Sequence, residues 1–545
     1  MKELSYFEQQ YNTAASARDR LVFKTIVAGA MTLVFWVLFF AVSSRLAMGI
    51  FQLIFTVLFA LLCREELTSG LRSFLKFAPT PDSFYAFAVL AETAHAVRLI
   101  ISDSADNHVF AGVLYLSVTA SLLLKLLFVR QVTLNLDLIR DQKINALQVA
   151  DLSLSKQYIS KVCSVNPVVD FPNVVRASFD NNPAEKRSRR LLLITALSAA
   201  AAAILSGIIH RGQFFTALSS LFILCASFTA ELSFILPYLI LQIKLRSMGS
   251  ILLGNHSTAQ LKDANTMLIR DTDLFPPERN EILYFRIKNQ NQKTKAEVYT
   301  ATLLQLTRSP LEDAFQRFVS GTKTLPPKML QWRAIRNYGV EATIQQDTVL
   351  LGNRHLLLSH GIQPWSTERE AMLTAAGVHL SYLAVNGEVL ATMIFRYGEN
   401  PELKNSVARL SSEFQLLVET RDCCINESMI LRHYDLTRTK IAVPDAEELE
   451  AVHEMRSEQE EDSRTPAMLS TQNALGILEP ICRAKQLERT VEICRQTQQI
   501  STLFGLLLTF SALLFFPGSM NAFWLFAFQW LWAIPVAAAS LFPRK

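Results

Sequence analysis

Two carboxylates two residues apart, Asp271 and Asp273, end a short apolar run, Met267 to Ile269, and precede a proline pair, Pro276-Pro277. The run reads as a buried strand, and the prolines stop whatever follows it. A carboxylate at the carboxyl end of a strand in an open α/β sheet sits where such folds place their chemistry. One carboxylate can be a nucleophile and its neighbour a proton donor, although a plain turn uses the same residues. A second buried strand, Leu416-Leu417-Val418, ends in Glu419-Thr420-Arg421-Asp422, where Thr420 offers a hydroxyl. In the apolar part of the chain, Glu92, His95 and Arg98 are spaced to lie near one helix face, and Lys125 and Glu231 are further isolated charges. Ionisable groups in a membrane span face the bundle interior and mark a pathway, or pair among themselves.

The elements that must position these residues are of two kinds. The chain has 545 residues, half of them hydrophobic, with a formal charge of +5. That balance fits apolar spans joined to a polar domain, and it does not argue for nucleic acid, because no stretch combines clustered Lys/Arg with aromatics. Seven cysteines without a Cys-x-x-Cys pair support neither a disulfide framework nor a zinc site. The polar N-terminus lacks a signal-peptide cleavage pattern. Apolar runs at residues 22–43, 48–63, 83–102, 109–129, 191–209, 214–243, 501–516 and 520–541 predict eight membrane spans, the second borrowing flanking residues and the sixth broken by Pro237. The last two read as a hairpin around Pro517-Gly518.

Loop charges orient the spans. Arg64, Arg72, Lys76, the basic cluster at 186–190, Lys244, Arg246, Arg544 and Lys545 fall on one side, and the opposite loop near Asp103 and Asp106 is acidic. The positive-inside rule then makes both termini and the region 244–500 cytoplasmic, in a plasma membrane. The acidic stretch 447–466 predicts a solvated helix and loop.

The order of two, two and two spans, a large polar domain and two more spans resembles the heavy-metal-transporting P-type ATPases. Residues 64–91 look like that family's connection between the second and third spans. Residues 248–271 resemble the approach to its phosphorylated aspartate. Residues 349–361 are similar to a segment of its nucleotide-binding domain, and residues 382–404 to the return into its phosphorylation domain. Thr420-x-Asp422 fits the family's Thr-Gly-Asp. The resemblance implies a multi-pass α-helical membrane protein with about eight transmembrane helices. Its tail is 1–21, with four helices in 22–130, a truncated actuator-like segment in 131–189 and two helices in 190–243. An α/β haloacid-dehalogenase-like (Rossmann-like) phosphorylation domain occupies 244–279 and 391–500. An inserted α+β nucleotide-binding-like domain fills 280–390, and two helices in 501–541 close the chain.

The family phosphorylates the Asp of Asp-Lys-Thr-Gly-Thr, and the matching residues are Asp271-Thr272-Asp273-Leu274-Phe275. Its magnesium-binding Gly-Asp-Gly-x-Asn-Asp is best matched by Ser470 to Leu475, which hold no carboxylate. Its phosphate-binding Lys is missing near Pro444 to Glu447, and 131–189 contain no Thr-Gly-Glu. The nucleotide domain's His-Pro matches Ser309-Pro310, and Gly339 survives from its Gly-x-Gly. The Cys-Pro-Cys of span six matches Leu236-Pro237-Tyr238, keeping the helix-unwinding Pro237 without the thiolates that soft metals require. ATP and magnesium are implied by the family, yet their ligands are lost here. The expected partners are the lipid bilayer and a protein partner in the membrane. The first expectation is a catalytically inactive pseudoenzyme with a scaffold or regulatory role. A residual cation transporter using Glu92, His95 and Glu231 is an alternative. Another is a haloacid-dehalogenase-like phosphatase using Asp271 and Asp273 with Thr420.

Overall fold

A computed structural model describes residues 2–541 except 43, 102–108, 142–143, 156–157, 168–182, 211–212, 255, 320–328, 336–337, 376, 404, 406–413, 423, 435–440, 445–447, 449, 453, 456–465 and 517–519. Asp103, Asp106, Cys423, residues 445–447, the Pro517-Gly518 turn, Arg544 and Lys545 therefore lie outside the described residues, as does much of the acidic run 447–466.

Seven helices are long and apolar enough to cross a membrane among the described residues, and a bent pair makes up to eight. The first six spans comprise α1 (Lys2–Ala41), α2 (Arg45–Leu62) with α3 (Arg64–Leu75), α4 (Pro81–Ile101), α5 (Ala111–Asp141), α6 (Pro183–Ile209), and α7 (Phe214–Cys225) with α8 (Thr229–Ser247). The helices Leu478–Phe515 and Ala522–Leu541 complete the set.

The short second span is explained by a bend of 80° between Leu46–Leu62 and Arg64–Leu75. The apolar run stops at Leu62, and Arg64, Glu65 and Glu66 turn the chain out of the hydrocarbon. Close packing holds the bend, since Ser83 donates to the Gly70 carbonyl at 2.7 Å. A Cβ on Gly70 would collide with the Asp82 backbone.

The sixth span breaks, but not at Pro237. That residue is buried inside α8, and the interruption falls at residues 226–228 between α7 and α8. Proline removes one hydrogen bond, which a packed helix tolerates. At the actual break, side chains replace the helical ladder. Ser117 accepts from the Phe228 amide at 3.2 Å, Ser227 from the Thr229 amide at 3.3 Å, and Gln529 donates to the Ile223 carbonyl at 3.0 Å.

Among the described residues, thirteen strands form two sheets. They are β1 (Asn145–Ser155), β2 (Tyr158–Pro167), β3 (Ser250–Leu252), β4 (Thr266–Arg270), β5 (Glu281–Ile287), β6 (Met329–Ile335), β7 (Gly339–Ile344), β8 (Asp347–Gly352), β9 (His379–Val385), β10 (Glu388–Arg396), β11 (Gln415–Glu419), β12 (Ile441–Ala442) and β13 (Met468–Ser470). The seven-stranded sheet runs β12-β11-β4-β2-β1-β13-β3, and the six-stranded sheet runs β5-β10-β9-β8-β7-β6. In the first, β12, β11, β4 and β2 are parallel, and the remaining neighbours are antiparallel. Buried apolar runs make its centre, with Met267, Leu268, Ile269, Leu416, Leu417 and Val418 at most 3% exposed. Such two-sided burial is the mark of a parallel strand.

The segment 131–189, expected to be actuator-like, supplies the end of α5, the β1–β2 hairpin and the start of α6. Its hairpin is built into the sheet, with Val162 and Cys163 registered on Thr266 and Met267. The expected boundary at 390/391 falls inside β10, which pairs with β5 from Ala391 to Arg396. The boundary at 500/501 falls inside the 38-residue helix Leu478–Phe515. At 1.5 Å per residue that helix is about 57 Å long, enough to run from the sheet domain through the bilayer. Within the acidic stretch, Val452 and Met455 pack on Leu268 and Leu417, so one face of it is buried rather than solvated.

Candidate active site

β4 and β11 run in parallel with Arg270 opposite Glu419, which brings the residues after each strand together. Thr420 donates to Asp271 Oδ2 at 2.8 Å, and the Asp422 amide donates to the Thr420 hydroxyl at 3.0 Å. The expected pair of Asp271 and Thr420 is thus one hydrogen-bonded unit. Asp273 is turned another way. Its carboxylate accepts from the Arg270 amide at 2.8 Å, closing the short turn Asp271–Leu274, and its carbonyl accepts from Asn400 at 2.8 Å. A carboxylate used to cap its own strand end does not face the nucleophile as a proton donor, so the phosphatase arrangement is not favoured.

Asp271 is only 6% exposed. Burial pushes its pKa from the usual carboxylate range up to about 8, opposed by the Thr420 hydrogen bond and reinforced by the Asp422 charge. Burial thus favours its neutral form, whereas a phosphoryl-accepting nucleophile reacts as the ion. Burial also raises Asp422, opposed by the Cys424 amide, Ser309 and Tyr397.

The segment matched to the magnesium site follows β13. Two strands, β2 and β1, stand between β4 and β13. Three inter-strand spacings separate Asp271's strand from that loop, about 14 Å. Ser470 and Ser250 are hydrogen-bonded to each other at 2.8 Å across the β13–β3 pair. Magnesium bridges oxygens at about 2 Å, so ligands at this distance cannot share an ion with Asp271.

The nucleotide residues fare likewise. Ser309 donates to Asp422 Oδ2 at 2.8 Å, tying the inserted domain directly to the sheet domain. Ser309 and Gly339 line a cavity of about 20 Å³ together with Asp422. That space holds about one water, far less than a ligand pocket of a few hundred Å³. Gly339 has a steric reason to be glycine. It faces Gly352 across β7 and β8, has φ +147°, and a Cβ there would collide with the Leu351 carbonyl. Pro310 offers its carbonyl to Asn280 at 2.7 Å and so serves the hinge. The cavity at Ser309 and Gly339 is too small for a nucleotide.

In the membrane, Glu92 and His95 are together and Glu231 is apart from them. Glu92 is fully buried and accepts from Gln52 on α2 and Ser219 on α7. Gln52 also lies 3.5 Å from His95 Nδ1. Glu231 instead pairs with Lys125 at 3.2 Å, and Lys125 also meets Asp82 at 2.5 Å. Asp82 and Glu92 are ten residues apart on α4, about 15 Å along the axis. The expected single pathway is thus two clusters, one of them, at Lys125, setting one cation between two carboxylates. Gln52, Ser219, Asp82 and Asn280 were not singled out from the sequence. Asp82 beside Pro81 at the start of a span, opposite an isolated Lys125, was the available signal. Gln52 and Ser219 gave none.

No protein-family sequence model and no curated protein sequence matches the chain. Solved structures do. A zinc-transporting PIB-type ATPase aligns at TM-score 0.52 and 12% identity, over 96% of this chain and 99% of that one. A second structure of a zinc-transporting PIB-type ATPase, in another state, aligns at TM-score 0.48 and 12% identity, over 95% and 98%. With its spans, sheet domain and inserted domain in that order over nearly the whole length, the chain has the fold of the heavy-metal-transporting P-type ATPases.

Proposed function

We propose that this is a catalytically silent, P-type ATPase-like membrane protein that acts as a scaffold or regulator. It resides in the plasma membrane with both termini and the large domain in the cytoplasm, as the basic loops favour. The observation that carries the reading is the wedge of β1 and β2 between Asp271's strand and β13. Phosphoryl transfer needs nucleophile, magnesium and nucleotide within a few ångströms of one another. Here burial favours the neutral form of Asp271, and the counterpart of the magnesium loop is about 14 Å away. The cavity beside Ser309 has room for a water. The buried polar groups of the spans serve as ties between helices, with Lys125 neutralised by Asp82 and Glu231.

The test is phosphorylation of the purified full chain by radiolabelled ATP with magnesium. The expected result is no hydroxylamine-labile label, in the native protein as in Asp271→Ala. A label present in the native protein and lost in Asp271→Ala overturns the reading.

A further inference from the structure

A second, much larger cleft lies at the junction of the two cytoplasmic domains. It measures about 870 Å³ and shares only Cys424 with the small cavity at Ser309. Its walls come from the first linker (residues 275–280), the start of β9 with residues just before it, the end of β10, the second linker (residues 397–400), and Cys424 with the helix Glu427–His433. Each brings a polar group. Arg279 is on the first linker, Arg396 ends β10, Glu399 is on the second linker, and Arg432 and His433 end the helix. His379 adds a second imidazole from the start of β9.

The charges do not cancel. Three guanidinium groups face one carboxylate, and the three arginines are all exposed. Among the described residues, no carboxylate lies within ion-pair distance of Arg396 or Arg432, and Arg279 donates to the Glu399 carbonyl at 3.1 Å rather than to an acid. Glu399's carboxylate is 3.7 Å from His433 Nε2. Burial lowers the pKa of both imidazoles, His379 to about 4, so the positive charge at neutral pH is that of the arginines. Among the described residues His433 Nε2 is buried and has no hydrogen-bond partner. Guanidinium forks match phosphate and carboxylate oxygens in pairs. A volume of this size is that of a small-molecule site.

We propose that this cleft binds a small multivalent organic or inorganic anion, carrying two or more phosphate or carboxylate groups, and that the bound anion clamps the inserted domain to the sheet domain. Arg396 belongs to one domain and Arg432 to the other, so an anion held by both fixes their relation. The cleft is separate from Asp271 and does not depend on whether that residue is ever phosphorylated.

The experiment is calorimetric titration of the full chain in detergent micelles with pyrophosphate, ADP and citrate, each without magnesium. At least one of the three is expected to bind with one-to-one stoichiometry. Arg396→Gln and Arg432→Gln, both solvent-facing and compatible with folding, are each expected to weaken it about tenfold, the effect of losing a charge-assisted hydrogen bond. Arg421→Gln, outside the cleft, is expected to leave it unchanged. Diphosphate and tricarboxylate arms tell phosphate recognition from carboxylate recognition, and ADP against pyrophosphate shows whether a base contributes. Binding by none of the three, or binding that Arg396→Gln and Arg432→Gln leave intact, overturns the proposal. Acyl-phosphate formation at Asp271 would overturn the silent-ATPase reading alone.

Discussion

Asp271 occupies the place of a nucleophile and has the surroundings of a structural acid. Its folded pKa, about 8, lies above the usual carboxylate range because burial penalises the ion. A group raised in this way contributes stability that is complete at acid pH and is lost as pH rises through the folded value. The native protein should therefore lose stability between about pH 4 and pH 8, with a ceiling of about 1.36 kcal/mol per pH unit from this one group. Asp271→Asn keeps the shape and cannot ionise. Its thermal midpoint should match the native one at about pH 4 and below, and exceed it increasingly towards pH 8. A difference that does not change with pH would show that the carboxyl is ionised throughout. The position of this residue was legible in the sequence, since the apolar run Met267 to Ile269 and the carboxylates after it announce a strand end. Its protonation was not legible, because that depends on burial under elements distant in the chain. The same holds for Gly339, whose type could be read as a nucleotide-loop remnant but is required by the opposing Leu351 carbonyl.

At the scale of elements, the hairpin β1–β2 decides the chemistry more than any single substitution. Apolar runs announced the membrane helices and the strands β4 and β11. They could not announce that residues 145–167 join the same sheet, because strand order is a long-range property. The break at 226–228 was hidden for a related reason. Its backbone groups are satisfied by Ser117 and Gln529, more than a hundred residues away in either direction, while the visible Pro237 stays helical. The hairpin gives a sharp expectation for repair of the magnesium segment. Asn473→Asp returns a carboxylate to the loop after β13, yet that loop stays three strands from Asp271. No acyl-phosphate and no magnesium-dependent ATP hydrolysis should appear. Recovery of either in Asn473→Asp would mean that the hairpin does not separate the two strands in solution.

For the whole molecule, the relation of the inserted domain to the sheet domain is the property that a pump would change during its cycle and that side-chain hydrogen bonds tie together here. Ser309 bonds Asp422 across the junction, and Asn280 does more. Asn280 is 3% exposed and sits on the first linker. Its amide donates to the Phe275 carbonyl at 3.2 Å and the Pro310 carbonyl at 2.7 Å, while its oxygen accepts from the Gly398 amide at 2.9 Å on the second linker. One side chain thus joins both linkers and the inserted domain. Arg317 reinforces it by donating to the Asn280 carbonyl at 3.1 Å and the Pro277 carbonyl at 3.0 Å. Asn280→Ala removes three hydrogen bonds and leaves an amide and two carbonyls to find new partners, each unsatisfied group costing about 1–3 kcal/mol. The apolar core residues of both sheets are unchanged in that variant, so the loss should appear at the junction. Amide exchange of the full chain is expected to accelerate at 276–280 and 397–400 while β4, β8 and β9 remain protected, because local opening reports local free energy. Uniform acceleration across both sheets would instead mean that the linkers carry global stability. Unchanged exchange at the linkers would mean that contacts other than those of Asn280 hold the domains together.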